Sequence, residues 1–185
     1  MTTNKIILGF VGPLASGKGT SASYLKEKYA ANTHRFSTML RDMLDRIYLD
    51  KSRDNLIKMS EAIREKFGED IMAKAMAGDA KKDPNNIVVI DGIRRPADIE
   101  YLSQNPDFIL VAIDADIEKR YERIIKRGEN ADDKSKTFEE FQADHQRSTE
   151  VTIPGVMAEA DENIDNNGSL QELYSQLDKL VNKYR

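Results

Sequence analysis

The chain of 185 residues contains no cysteine and no tryptophan, and it has only two histidines. Without cysteine it can form neither a disulfide framework nor a thiolate metal site. His34 and His145 have no further ligands at the spacing that metal sites use, so both are interpreted as structural or surface residues. These absences exclude disulfide-stabilised scaffolds and zinc modules, and they are compatible with the cytoplasm.

Long apolar runs and an excess of basic charge are also missing. The longest apolar run near the start, residues 6–11, is interrupted by Gly9 and is far too short for a signal peptide or a membrane span. The formal net charge is −4, so the composition does not indicate a nucleic-acid partner. We expect a cytoplasmic protein with no membrane and no nucleic-acid partner, acting as a monomer or a small homo-oligomer.

Short apolar runs alternate with helical patterns along the chain. Residues 6–11 and 87–90 have the composition of strands buried on both faces, the type found in parallel sheets. Further strands are predicted at residues 34–37, 108–113 and 163–165. Hydrophobic residues make up 39% of the chain, enough for one domain over residues 1–185. The alternation predicts a three-layer α/β fold with a five-stranded parallel sheet, which binds ligands beyond the carboxyl ends of its strands.

Two segments depart from this alternation. Residues 38–80 have a helical pattern that Gly68 breaks, and they form a long insert between the second and third strands. Residues 128–136 contain no apolar side chain larger than alanine, and a helix is predicted over residues 138–149. We expect residues 128–149 to form a short lid, hinged at Gly128, that carries Arg147 toward the site.

A glycine-rich loop lies between the first strand and the first predicted helix. In such a loop, backbone N–H groups and a helix N-terminus cradle phosphates, and Lys18 can reach the phosphate being transferred. The strict pattern has Ser or Thr directly after the lysine, whereas this chain has Gly19 there and Thr20 one position later. The predicted phosphate-binding residues are Gly12, Ala15, Ser16, Gly17, Lys18, Gly19 and Thr20.

Further candidates follow the third strand and lie on the helix after the fourth. Asp91 ends the predicted strand at residues 87–90, where a carboxylate can hold Mg²⁺ through water. Arg123 and Arg127 are one helical turn apart, so two guanidinium groups share a helix face and can clamp a phosphoryl group. Each also has an ordinary interpretation, because an aspartate can cap a turn and arginines can line a solvated face.

The Gly-Lys-Gly-Thr ending of the loop, at residues 17–20, resembles that of adenylate kinase and related nucleoside monophosphate kinases. Residues 36–41 resemble the family's Ser-Thr-Gly-Asp-Met-Leu-Arg segment without its Gly-Asp pair, and residues 91–95 resemble its Asp-Gly-Phe-Pro-Arg segment. Arg123 and Arg127 resemble its paired arginines at the mouth of the lid. The overall pattern is also similar to that of the small adenylate-kinase-related ATPases, which share a compact lid.

This resemblance implies a P-loop NTPase fold that binds ATP and Mg²⁺, with Thr20 and Asp91 on the metal side. It implies catalytic roles for Lys18, Asp91, Arg123 and Arg127, and an acceptor-binding role for the insert at residues 38–80. The adjacent Arg94 and Arg95 leave the choice of acceptor arginine open. The implied acceptor-binding residues are Ser37, Arg41, Arg94, Arg95 and Arg147.

The expected reaction moves the γ-phosphoryl group of ATP to a nucleoside or deoxynucleoside monophosphate. A phosphate acceptor needs positioning and charge clamping, whereas a hydroxyl acceptor usually needs a carboxylate base. Dephospho-CoA kinase, a related enzyme, has an aspartate at the end of its second strand, where this chain has residues 36–38 without one. Adenylate kinases read adenine with a glutamine four residues beyond the acceptor arginine, and Ile99 occupies that place here, so the base stays open.

Two alternatives remain at the level of sequence. One is a hydroxyl-directed small-molecule kinase such as dephospho-CoA kinase, because Asp42 and Asp45 lie not far along the helix after the second strand. The other is a nucleotide-dependent switch with little kinase turnover, which Lys18 and Asp91 argue against.

Overall fold

The structure, a computed structural model, describes residues 5–127, 136–146 and 150–185. Its strands form a parallel sheet in the order β2-β3-β1-β4-β5. This confirms the predicted five-stranded parallel sheet. The strands are β1 (Ile6–Val11), β2 (Asn32–Arg35), β3 (Ile87–Ile93), β4 (Phe108–Asp114) and β5 (Glu162–Asp165).

Helices connect the strands and cover both faces of the sheet, as the alternating pattern predicts. Pro96 opens a helix at its first position, where its missing N–H needs no partner. Ser169 caps the last helix through a capping box with Glu172, as predicted for that serine. The helices are α1 (Lys18–Tyr29), α2 (Phe36–Arg46), α3 (Arg53–Phe67), α4 (Ile71–Lys82), α5 (Pro96–Ile99), α6 (Ile117–Arg127), α7 (Phe138–Asp144), α8 (Ile153–Met157) and α9 (Leu170–Tyr184).

The central strand β1 supplies both halves of the hydrophobic core because successive side chains of a strand point to opposite faces. Leu8 and Phe10 pack with α1 and α9 on one face. Ile7 and Val11 pack with α2, α4 and α8 on the other. Gly9 lies between them, and a Cβ added there would come within 2.6 Å of the Phe108 ring. The two clusters make the fold three layers thick.

The second and third strands differ from the sequence prediction at their carboxyl ends. The second strand was predicted at residues 34–37, but β2 ends at Arg35, because Phe36 is already helical and buries its ring under α2. Ser37 therefore lies in the first turn of α2. Strand β3 continues two residues beyond Asp91, through a register shift opposite Phe10 and Val11, so Asp91 lies inside the strand rather than at its end.

The helical segments are also more divided than predicted. The break at Gly68 is confirmed, because α3 ends there, but the second break at residues 47–52, between α2 and α3, was not predicted. Helix α7 ends at Asp144, before the predicted end at residue 149. No helix in the described ranges is long and apolar enough to cross a membrane.

Candidate active site

The glycine-rich loop leaves the carboxyl end of β1 and runs directly into α1. Ala15 and Gly17 adopt left-handed backbone conformations, with φ of 62° and 111°. Left-handed residues in a loop turn successive N–H groups into an anion-binding concavity. A Cβ at Gly12 would lie 2.1 Å from the carbonyl oxygen of Ile113, so close packing with β4 requires glycine there. The loop has the backbone of a phosphate cradle, as its sequence predicts.

Lys18 opens α1 and folds back over this loop. Its Nζ donates hydrogen bonds to the carbonyl oxygens of Gly12, at 2.6 Å, and Pro13, at 3.0 Å. Burial lowers the pKa of this ammonium from its ordinary value to about 8, because the charged form loses contact with water. The ammonium is therefore held at the mouth of the loop, where a phosphate would approach.

Among the described residues, four other charged side chains lie close enough to Lys18 to influence its pKa. The carboxylates of Asp91 and Glu150 raise that pKa, whereas the guanidinium groups of Arg94 and Arg120 lower it. Asp91, Arg94 and Lys18 were predicted site residues, and the structure brings these three together. Glu150 and Arg120 were not predicted.

Asp91 forms an ion pair with Arg35, the residue beside it in the register of β2 and β3. Oxygen Oδ2 of Asp91 accepts a hydrogen bond from Nε of Arg35 at 2.9 Å, and it lies 2.8 Å from Nη2 in the same ion pair. Nη2 also lies 3.9 Å from the position of a Cβ built on Gly19. Arg35 therefore connects the aspartate with the first turn of α1. Sequence reasoning missed it because the predicted second strand ended two residues later, at Ser37.

Arg94 forms an ion pair with Glu150, a buried residue 56 positions further along the chain. The distance between Arg94 Nη1 and Glu150 Oε1 is 2.7 Å. The hydroxyl of Thr152 donates to the carbonyl oxygen of Arg94 at 2.7 Å. No local pattern marks Glu150 in the sequence, since its role depends on a contact with a distant strand.

The turn after β3 is held from inside the protein by Asp98. Its Oδ2 accepts the backbone N–H groups of Arg94 and Arg95, each at 3.0 Å. Its Oδ1 accepts from Nη2 of Arg64 in α3 at 2.9 Å, and both side chains of this pair are buried. The guanidinium of Arg95 instead forms an ion pair with Glu69, with 3.2 Å between Nη1 and Oε2. The helical insert is thus tied to the turn that carries both predicted arginines.

Arg123 contacts the loop indirectly, through Asn166 after β5. Its Nη2 donates to the backbone oxygen of Asn166 at 2.7 Å, and Nδ2 of Asn166 donates to the carbonyl oxygen of Ser16 at 2.7 Å. Its Nη1 is buried and has no hydrogen-bond partner within the described ranges. The hydroxyl of Ser16 is also buried and has no hydrogen-bond partner within the described ranges. Sequence reasoning missed Asn166, although it directly follows a strand at the ligand edge of the sheet.

Arg120 joins the loop to helix α7. Its Nη1 donates to the carbonyl oxygen of Leu14 at 3.3 Å and to Nε2 of His145 at 2.6 Å. The other ring nitrogen of His145 lies 2.9 Å from the carbonyl oxygen of Phe141, which fits the tautomer that donates there. The structure thus gives His145 a structural contact beside the loop, in keeping with its interpretation from the sequence.

The other predicted site residues are exposed, half-buried or outside the described ranges, and those that the structure describes form no hydrogen bond or ion pair with the side chain of Lys18. Arg41 and Thr20 are exposed on α2 and α1, and Ser37 is half-buried. The side chains of Arg127 and Arg147 lie outside the described residues, as do residues 128–135 of the predicted lid. Within the described ranges no three His, Cys, Asp or Glu side chains could together hold a metal ion. A Mg²⁺ bound chiefly by phosphates and one carboxylate needs no such cluster.

Fold and loop together define a P-loop kinase fold. A family model described as an AAA domain matches residues 11–142, and the chain belongs to that family. These residues include the phosphate-binding loop, Asp91, Arg123 and Arg127.

Relatives of similar sequence come from archaea. A UPF0200 protein of Sulfurisphaera tokodaii is 28% identical over 178 residues, which cover 96% of each chain. A UPF0200 protein of Hyperthermus butylicus is 24% identical, over 97% of this chain and 95% of the relative. A UPF0200/UPF0201 protein of Archaeoglobus fulgidus is 29% identical over 96% of this chain, which spans only 55% of that relative.

Solved structures with the same fold include kinases. TT1252 from Thermus thermophilus superposes with a TM-score of 0.64 at 17% identity, covering 98% of this chain and 99% of that one. Shikimate kinase from Bacteroides thetaiotaomicron superposes with a TM-score of 0.63 at 10% identity, covering 96% and 97%. Identities this low establish the shared fold alone.

Proposed function

We propose that this protein is an ATP-dependent phosphotransferase that moves the γ-phosphoryl group of ATP to a nucleoside or deoxynucleoside monophosphate. The observation that carries the proposal is the turn after β3, where Asp98 holds Arg94 and Arg95 beside Asp91 and next to the helical insert. Arginines bind phosphate oxygens through charge-assisted, often bidentate hydrogen bonds. An acceptor that brings its own phosphate fits such a cationic turn.

In this proposal the loop residues Gly12 to Thr20 hold the phosphates of ATP, and Lys18 contacts the transferred group. Gly12 and Gly17 support the fit, because their surroundings leave no room for a Cβ atom. With no side chain at either position, the backbone N–H groups of the loop are open to a phosphate. Mg²⁺, when bound on the side of Thr20 and Asp91, would neutralise charge on the phosphate oxygens. Arg123 reaches the loop through Asn166, and with Arg127 it would offset charge developing in the transition state.

Residues 38–80 and 128–149 complete the proposal as the acceptor-binding lobe and the lid. The ion pair between Arg64 and Asp98 supports the first, since it fixes the insert to the arginine-bearing turn. The hydrogen bond from Arg120 to His145 supports the second, since Arg120 also contacts the loop. Closure over the phosphates would exclude water and prevent wasteful hydrolysis.

A second candidate is a hydroxyl-directed kinase, and Glu150 is the observation that favours it. This buried carboxylate lies near Lys18, and a hydroxyl acceptor needs a group that takes its proton. The shikimate kinase among the structural neighbours gives this candidate a precedent on the same fold. Against it, Glu150 already accepts a hydrogen bond from Arg94 at 2.7 Å.

The deciding experiment is an ADP-release assay with ATP and Mg²⁺ over a panel of acceptors. The panel contains the ribonucleoside and deoxynucleoside monophosphates, dephospho-CoA, shikimate and a reaction without acceptor. Turnover with one or more monophosphates supports the proposal. Turnover with only dephospho-CoA or shikimate replaces it with the second candidate, and ATP hydrolysis that no acceptor stimulates indicates a switch.

Replacing Arg41 or Arg95 with alanine should raise the KM for the monophosphate about tenfold or more, with ATP affinity nearly unchanged. The reason is that each would lose a charged hydrogen bond to the acceptor, a contact of about 1.5–3 kcal/mol. Arg185→Ala is the control, because Arg185 is an exposed arginine that follows α9, outside the proposed site. A loss of ATP affinity in the Arg41 or Arg95 variant would show that the acceptor assignment is wrong.

ATP binding at pH 8 should be accompanied by proton uptake. The pKa of Lys18 is lowered to about 8, so about half of the unliganded molecules carry a neutral lysine at that pH. A bound triphosphate stabilises the ammonium and raises its pKa, so a proton enters on binding. Calorimetry in buffers of different ionisation enthalpy measures the uptake. Lys18→Arg is the control, since its guanidinium is always protonated, and equal uptake in both proteins would refute the assignment.

A further inference from the structure

The side chain of Arg35 occupies the carboxyl edge of the sheet between the aspartate and the phosphate-binding loop. Its Nε donates a hydrogen bond to one oxygen of Asp91, and its Nη2 lies 2.8 Å from the same oxygen. A guanidinium has five N–H donors, so three remain available for a ligand. The side chain is 44% exposed, whereas that of Asp91 is 7% exposed. The buried carboxylate of Asp91 therefore contacts the inner side of the guanidinium, and the solvent-exposed side of the guanidinium, its outer edge, stays open.

The neighbours of Arg35 show where this outer edge lies. A Cβ built on Gly19, in the first turn of α1, would be 3.9 Å from Nη2, and one built on Gly92 would be 3.9 Å from Cγ. The absence of side chains at both glycines keeps the space around the guanidinium clear. Arg35 thus lies beside the start of α1, on the side of the sheet edge where β2 leads into the helical insert.

A guanidinium at this place has a consequence for acceptor chemistry. It stays protonated at all relevant pH values and cannot take a proton from a hydroxyl group. The two buried carboxylates near Lys18, Asp91 and Glu150, each accept hydrogen bonds from an arginine. Both carboxylates therefore already have arginine partners in this structure. A guanidinium with an open outer edge suits an acceptor that is already an anion.

We propose that Arg35 is the residue that selects an anionic acceptor, binding the phosphate group of the incoming monophosphate with the N–H donors that Asp91 leaves unused. This inference rests on the proposed function and adds a specificity-determining residue to it. Asp91 acts as the support that fixes the guanidinium plane. Bidentate contact with phosphate requires that plane to be fixed, which the paired Nε and Nη2 achieve.

The test compares Arg35→Gln and Arg35→Lys with Arg185→Gln as the control, because Arg185 is an exposed arginine outside the proposed site. The acceptor is the best monophosphate of the panel. The glutamine variant should raise the KM for that acceptor about 30-fold, because a charged hydrogen bond is lost. The lysine variant keeps the positive charge but loses the planar guanidinium that can bind two phosphate oxygens at once. Its KM for the monophosphate should therefore rise about fivefold. The KM for ATP should stay within about threefold in every variant, and Arg185→Gln should match the parent protein.

A lower kcat with unchanged acceptor KM in the glutamine variant would overturn the proposal, since Arg35 would then serve only to position Asp91. If Arg35→Gln does not fold, Arg35→Lys is used instead. An unchanged acceptor KM in Arg35→Lys would likewise overturn the proposal. Calorimetry with monophosphates and the matching uncharged nucleosides, in the presence of a nonhydrolysable ATP analogue, separates this inference from the proposed function. Arg35-dependent binding of monophosphates without turnover would contradict the function and keep the inference. Absence of any monophosphate binding would contradict both.

Discussion

Replacing Lys18 with alanine should lower phosphoryl transfer about a thousandfold while leaving the fold intact. Its ammonium lies at the mouth of the loop, held by the carbonyl oxygens of Gly12 and Pro13, where it can follow the transferring phosphate. Losing such a preorganised charge costs about 4 kcal/mol of transition-state stabilisation, and each 1.36 kcal/mol corresponds to about a tenfold change in rate. The measurement is kcat/KM in the ADP-release assay, together with a thermal melt.

Lys26→Ala is the matched control for this variant. Lys26 belongs to the same helix but is exposed in its last turn, away from the loop. Its replacement should leave kcat/KM within about twofold, since exposed charges contribute little. Near-normal turnover in a folded Lys18→Ala protein would be incompatible with a phosphate-binding role for the loop.

Gly17→Ala should destabilise the protein and abolish nucleotide binding, whereas Gly19→Ala should do neither. A Cβ at Gly17 would lie 2.1 Å from Nδ2 of Asn166, and the φ of 111° disfavours any side chain. Backbone strain of about 1–3 kcal/mol and a lost hydrogen bond of about 1 kcal/mol predict a melting temperature lower by roughly 5–10 °C. At Gly19 the nearest atom would be 3.9 Å away, at ordinary contact distance.

This pair of variants also tests the departure from the strict loop pattern. Gly19 is helical, and alanine in a helix is more stable than glycine by about 0.5–1 kcal/mol, so Gly19→Ala should melt at the same temperature or slightly higher. Calorimetric titration with ATP measures binding in both variants. Equal loss of ATP affinity in the two would mean that the left-handed geometry at Gly17 has no special role.

The features predictable from sequence are those with local signals. Strands β1, β3 and β4 were recognised because their runs of apolar residues match strands that are buried on both faces. The loop follows from glycines and a lysine placed between a strand and a helix. Asp91 and Arg94 were found because they lie in or directly after a recognised strand, where parallel sheets place their ligand-binding residues.

The residues that sequence reasoning missed depend on contacts between distant segments. Glu150 is 56 positions from the arginine that it binds, and Asn166 is 150 positions from the serine whose carbonyl oxygen it contacts. No periodicity records such a pairing. Arg35 was missed for another reason: its strand has only four residues and is only partly buried, so its end is poorly marked by hydropathy. Because the strand end was predicted two residues too late, Ser37 was named as a site residue and Arg35 was not.

The bridge from Ser16 through Asn166 to Arg123 sets a limit on how far this protein can be shortened. The family model covers residues 11–142, yet Asn166 and the strand β5 that delivers it come after that boundary. A fragment cut at residue 142 would keep every residue of the recognised motif but lose the amide that joins the loop to α6. Strand β5 and Asn166 are therefore part of the structure that supports the loop, although they lie outside the matched family segment.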